Sequence, residues 1–125
     1  MKITLFDDQK CITTALVRSL RELDYSMEIS AFEKSVDLLG HLHQESADIL
    51  ILDLLTHDPL GLDIIYQVKK LCPQAYVVVY SVVTSTLIRQ CVQESGVNLF
   101  ISKMNTPYKA ASMLMTAYLQ RLIII

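Results

Sequence analysis

Apolar runs of strand length alternate along the chain with segments whose apolar residues recur at helical spacing, the pattern of parallel β/α units. Residues 2–7 predict a first strand ending in acid, and residues 10–22 a helix with Ile12, Ala15, Leu16, Ser19 and Leu20 on one face. A short strand over 26–31 and a helix over 33–44 follow, the latter carrying Val36, Leu38, Leu39 and Leu42. The third strand, 48–53, is apolar at every interior position, as expected of a strand buried on both faces. A helix over 62–71 stops before Pro73, which cannot continue the hydrogen-bond ladder. The strand over 75–81 stays apolar until a terminal hydroxyl, and the helix over 84–94 stops near Gly96. A fifth strand over 98–102 leads to a last helix over 106–121, with Thr106 as N-cap and Pro107 at the first helical position.

These elements make five β/α units without a linker, repeat or low-complexity segment. The right-handed crossover rule then favours an open sheet with helices on both faces. In such sheets ligands bind beyond the carboxyl ends of the strands, where strand order reverses. At 125 residues the chain fits one domain spanning 1–125, and 52% apolar residues suffice for a core without disulfides. A net charge of −2 with no dense Lys/Arg run argues against direct binding of nucleic acid. Cys11, Cys72 and Cys91 lack the spacing of a zinc or redox motif and read as reduced, mostly buried thiols. The N-terminus meets Asp7 too soon to form a secretory signal, and the longest apolar stretch falls well short of the ~20 residues that span a bilayer. A soluble, cytoplasmic protein with no membrane contact is expected.

Polar residues then stand where apolar strands end: Asp7 and Asp8, Asp53, Ser81 and Lys103. Each alone also reads as a turn former or a helix cap. Together they bring three carboxylates, a hydroxyl and an ammonium to one sheet edge. Carboxylates about 5 Å apart repel by roughly 3 kcal/mol at an effective dielectric near 20, so the cluster asks for a cation. An all-oxygen set with few protein ligands suits Mg²⁺. With a cation beside it, a carboxylate can attack phosphorus, while a lysine and a serine hydroxyl bind the other phosphoryl oxygens. An ionised carboxylate needs no histidine base.

These positions resemble, along essentially the whole chain, the receiver domain of two-component response regulators. Asp8 lies 45 residues before Asp53, Ser81 28 residues after Asp53, and Lys103 22 residues after Ser81. Gly61 falls where receivers have a glycine at the start of the third helix. The resemblance implies a flavodoxin-like open five-stranded parallel sheet of order 2-1-3-4-5. It implies Asp53 as the phosphate acceptor, loaded by a sensor histidine kinase. Asp7, Asp8, Asp53 and the backbone carbonyl of Leu55 would hold Mg²⁺, with Asp7 acting mainly through a metal-bound water. Lys103 would contact the acyl phosphate and Ser81 would move towards it. Phe100 falls at the family's aromatic switch position, though an ordinary core Phe fits the same pattern. The output would be homodimerisation or release of an output domain beyond this chain, and the chain would be no enzyme apart from phosphotransfer to its own Asp53. Gln9, Leu16, Arg18 and Met104 lean towards the NarL/FixJ-like (LuxR-type) branch of transcription regulators, in which DNA is met only through that output domain. Met104 stands where many receivers have proline, and a trans Lys103–Met104 bond is expected.

The sequence also departs from the family. Thr56-His57, followed by Pro59, replaces the usual Met-Pro after the acceptor, and Val82 is bulky for its place after Ser81. Apolar Leu55 and Val83 stand at positions that influence attack by water, so slow autodephosphorylation is expected. These departures keep a second reading open, a degenerate, phosphorylation-independent receiver serving as a dimerisation or protein-interaction module. A haloacid-dehalogenase-type phosphatase is disfavoured because Asp53-Leu54-Leu55 lacks a second acid, and a flavodoxin because the first loop is acidic. His41 and His43 face different ways on their helix, and His57 reads as a loop residue. Met113 and Met115 read as packing, and the apolar Leu122–Ile125 as a dimer contact or the approach to an output domain.

Overall fold

The computed structural model describes residues 1–54, 61–82 and 85–121. Strands and helices alternate as β1 (Lys2–Phe6), α1 (Lys10–Leu23), β2 (Glu28–Phe32), α2 (Ser35–Gln44), β3 (Ile49–Leu52), α3 (Asp63–Leu71), β4 (Tyr76–Ser81), α4 (Thr86–Glu94), β5 (Leu99–Ser102) and α5 (Pro107–Gln120). All five strands are parallel, in the order β2-β1-β3-β4-β5, which is the flavodoxin-like order. The order in which the chain adds strands reverses between β1 and β3, so the strand ends carrying Asp7 and Asp53 flank the switch point.

Side chains alternate across a strand, and here both faces are covered. Phe6, Leu50, Leu52, Val77 and Val79 pack with Leu38 and Leu42 of α2, Ile64, Ile65 and Val68 of α3, and Val92 of α4. Ile3, Leu5, Ile49, Ile51, Val78, Tyr80 and Ile101 pack on the other side with Leu16 and Leu20 of α1 and Ala110, Ala111 and Leu114 of α5. The uninterrupted apolar runs of β3 and β4 follow directly from this double burial.

Local signals set several boundaries. Thr106 accepts a hydrogen bond from the Lys109 amide at 3.2 Å, with Pro107 opening α5 as expected. Ser85, which the sequence placed inside the helix, instead caps α4 by accepting from the Ile88 amide. Gly61 has φ +52°, a left-handed conformation that explains a glycine before α3. No peptide bond is cis among the described residues.

Three expectations need correction. The second strand is Glu28–Phe32 rather than 26–31, because Asp24 accepts from both the amide and the hydroxyl of Ser26 and holds that stretch in a turn. Val36 is 70% exposed, since the buried stripe of α2 runs through Leu38 and Leu42 instead. Cys72 is buried, but Cys11 and Cys91 lie on the solvent faces of α1 and α4. Met115 is buried and Met113 partly exposed. Among the described residues no helix is long and apolar enough to cross a membrane.

Leu50 touches the core from the central strand with no exposure, whereas Val36 faces water. Leu50→Ala is expected to cost about 2–5 kcal/mol and Val36→Ala less than about 0.5 kcal/mol, read by urea denaturation.

Candidate functional site

The polar residues gather at the carboxyl ends of β1, β3, β4 and β5. Backbone pairing fixes their placement. The Asp53 amide donates to the Phe6 carbonyl at 2.9 Å, the Asp7 amide to Phe32 at 3.1 Å, and the Lys103 amide to Ser81 at 2.9 Å. Asp7, Asp8 and Asp53 each offer a carboxylate oxygen, and these oxygens all lie within 4.8 Å of one another. Asp53 is 4% exposed and Asp7 is buried as well.

Lys103 reaches into this cluster from the turn that follows β5, its side chain only 5% exposed. Its ammonium lies 2.8 Å from Asp7 Oδ2 and 2.8 Å from Asp53 Oδ2, and donates to Gln9 Oε1 at 2.8 Å. Three oxygens match the three N–H donors of an ammonium. Asp7 also accepts from the Gln9 amide at 2.9 Å, which folds the β1–α1 loop back over the cluster.

Burial pushes the Asp7 carboxyl above its usual range despite hydrogen bonds from Lys103 and Gln9, and Asp53 adds to the rise. Burial alone would lower Lys103, but hydrogen bonds and charge from Asp53 and Asp7 carry its ammonium above the usual lysine value. The two shifts act in separate pH windows. The Lys103 contribution to stability is complete below its ordinary pKa and is lost as pH climbs through the raised value. Ionised Asp7 is disfavoured by the fold, so stability falls as pH rises through its raised pKa.

Three carboxylates and one ammonium leave a formal charge of −2. Each carboxylate pair repels by at least roughly 3 kcal/mol at an effective dielectric near 20. The all-oxygen donor set therefore fits a small hard divalent cation such as Mg²⁺. The Leu55 carbonyl lies outside the described residues, as do Thr56, His57, Pro59, Val83 and Leu122–Ile125. Ser81, at the end of neighbouring β4, has no exposure, and among the described residues its Oγ has no hydrogen-bond partner. An unsatisfied buried hydroxyl costs about 1–3 kcal/mol, a cost that an arriving oxygen would relieve. Phe100 is half-buried against the α2–α3–α4 side of the core, with the Arg89 guanidinium 4.8 Å from its ring centroid. Both of its sequence readings survive, since it is neither fully core nor free.

Two residues of this neighbourhood were not singled out for chemistry by the sequence. Gln9 supplies the third oxygen to Lys103, but a loop glutamine carries no pattern of its own. Tyr80 lies buried in β4, 5.8 Å beneath the Lys103 ammonium, and donates its hydroxyl to the Asn105 carbonyl at 2.7 Å. Burial raises its phenol pKa, so the group stays protonated and donating.

The sequence profile of the response regulator receiver domain matches residues 3–115. The chain belongs to this family. Among solved structures it resembles the BeF3-activated receiver domain of DrrB from Thermotoga maritima, with TM-score 0.81 and 21% identity over 95% of this chain and 97% of that one. RcsB from Salmonella enterica, bound to a promoter with phosphomimetic BeF3, gives TM-score 0.82 and 21% identity over 93% and 67%. A DNA-binding response regulator of the LuxR family from Staphylococcus aureus gives 0.79 and 15% over 94% and 98%. At these identities the likenesses establish the fold. No curated protein matches the chain in sequence at a significant level.

Asp7→Asn keeps a hydrogen-bonding oxygen but removes a buried, repelled charge. Without metal it is expected to melt above the parent at pH 7, and the gain should shrink as pH falls and the parent's own carboxyl protonates. Paired thermal melts at pH 7 and pH 4 check both halves, and a gain that grows towards acid contradicts the sign.

Proposed function

We propose that this receiver domain is a phosphorylation switch in which Asp53 accepts a phosphoryl group from the phosphohistidine of a sensor histidine kinase. The supporting observation is the placement of a buried Asp53 carboxylate 2.8 Å from the Lys103 ammonium, with Asp7 and Asp8 oxygens within 4.8 Å. Asp7, Asp8 and Asp53 would hold Mg²⁺, which supplies neutralising charge to the phosphoryl oxygens. An Asp53 oxygen forms the new P–O bond as the P–N bond of the donor breaks, and the departing imidazole takes up a proton. Lys103 already lies against the attacking carboxylate, so it orients Asp53 before transfer and can hold a phosphoryl oxygen afterwards. Ser81 gains a hydrogen-bond partner by moving to the same group, and that gain favours one of two conformations. No turnover of another substrate is proposed.

The phosphoryl oxygen must take one N–H from Lys103. Gln9 is its only neutral partner among Asp7, Asp53 and Gln9, and neutral hydrogen bonds are roughly half as strong as charge-assisted ones. Gln9 is therefore the partner given up. The wider reading is cytoplasmic signalling to a transcriptional output of the NarL/FixJ-like type, through homodimerisation and a DNA-binding domain outside this chain. DNA-bound RcsB and the LuxR-family neighbour support that reading at the level of fold.

Acetyl phosphate with Mg²⁺ is expected to add the mass of one phosphoryl group to the protein, and neither Asp53→Ala nor omission of Mg²⁺ should give the adduct. An adduct that survives Asp53→Ala places the acceptor elsewhere, and none on the parent protein favours the phosphorylation-independent module. Gln9→Ala should be labelled at least as fast as the parent, and Gln9→Glu about tenfold more slowly, since a third carboxylate on Lys103 is harder to displace.

A further inference from the structure

Lys103 does its work from a turn, not from the strand itself. Residues Ser102 to Asn105 form a tight reversal closed by the Asn105 amide donating to the Ser102 carbonyl at 3.0 Å. The Asn105 side-chain amide donates to the same carbonyl at 3.1 Å, and the Met104 amide donates to Ser102 Oγ at 3.1 Å. These bonds shape the turn but do not fix where it lies against the sheet. Two others do. At its start the Lys103 amide donates to the Ser81 carbonyl, and at its end the Tyr80 hydroxyl donates to the Asn105 carbonyl at 2.7 Å.

Both anchors come from consecutive residues at the end of β4. Tyr80 is 2% exposed and points to the α1–α5 side of the sheet, packed with Ile51, Ile101 and Ala111. Its ring is wedged by that packing, so its hydroxyl is a fixed point. The same ring lies 5.8 Å from the Lys103 ammonium, near enough to offer its face to the cation. Asn105 directly precedes Thr106, the cap of α5, so the bond also sets where α5 begins.

We propose that Tyr80 is a positioning residue for phosphoryl transfer, its hydroxyl holding the Ser102–Asn105 turn so that the Lys103 ammonium stays aligned on Asp53. Tyr80 touches no reacting atom and acts through Lys103 alone. This inference rests on the reading of Asp53 as phosphate acceptor. Tyr80→Phe keeps the ring and its packing and removes only the hydroxyl.

The test compares the parent, Tyr80→Phe, Lys103→Met and the double variant in labelling by acetyl phosphate with saturating Mg²⁺. Tyr80→Phe should lower the maximal rate about fivefold, the effect of one lost hydrogen bond, with little change in the half-saturating acetyl phosphate concentration. In the Lys103→Met background the same change should have no effect, because nothing remains to be aligned. Equal rates for parent and Tyr80→Phe, or the same factor in both backgrounds, overturn the proposal. Amide hydrogen exchange gives a readout that needs no labelling: Tyr80→Phe should speed exchange at Lys103, Met104 and Asn105 while leaving Val77, Val78 and Val79 unchanged. A uniform change, or none, overturns the proposal even if the parent takes up no phosphoryl group, whereas missing uptake with the localised exchange refutes only the acceptor reading.

Discussion

A parallel sheet covered by helices on both faces leaves no place for a charged side chain along the buried interior of its central strands. Burying an ionised group without partners costs far more than any single apolar contact returns, so charges can stand only where strands end and solvent begins. β3 shows the constraint at its sharpest, with Ile49 to Leu52 all buried and Asp53 following at once. The parallel arrangement then puts the ends of β1, β3, β4 and β5 on the same edge. Asp7, Asp53, Ser81 and Lys103 meet because they stand at these strand ends, and backbone pairing sets their spacing, with the Tyr80 hydroxyl tying down the turn that carries Lys103.

Once gathered, the groups compensate one another unevenly. Lys103 satisfies its donors on Asp7, Asp53 and Gln9, yet the cluster keeps an excess of negative charge, and Ser81 keeps an unused hydroxyl. A site in this condition is set for an additional positive ion and for additional oxygen acceptors at once. The tension is visible in neighbouring groups of opposite charge that both hold their protons more tightly, the Asp7 carboxyl because burial disfavours its charge and the Lys103 ammonium because Asp53 and Asp7 favour its charge. Both shifts hold the proton count of the site higher than isolated residues would have it.

Much of this was legible in the sequence because burial writes a simple pattern. Long apolar runs ending in Asp53 or Ser81 announce both the strand and its exposed end, and Thr106-Pro107 announces a helix start. The parts that escaped depend on contacts between residues far apart in the chain. Tyr80 looks like one more apolar residue of β4, and its acceptor is a backbone carbonyl 25 positions away, which carries no sequence signal. Gln9 bonds Lys103 across 94 positions with a side chain found in many loops. Val36 misled because apolar composition was read without fixing which face of α2 met the sheet. Cys11 and Cys91 misled because cysteine is usually buried, a tendency that says nothing about a given helix face.

The helices are not held equally. α3 buries Ile64, Ile65 and Val68, and α5 buries Ala110, Ala111, Leu114 and Met115, but α4 buries Val92 alone. Around that single apolar peg, α4 is fastened by polar ties: Ser85 at its start, Arg89 over Phe100 along its length, and beyond its end Lys69 of α3 donating to the Gly96 carbonyl at 2.9 Å. Such ties can be exchanged for water at small cost, whereas withdrawing several core side chains cannot. Local opening should therefore begin at α4 well below the free energy of global unfolding, giving the element next to Ser81 a mobility the rest of the helical shell lacks.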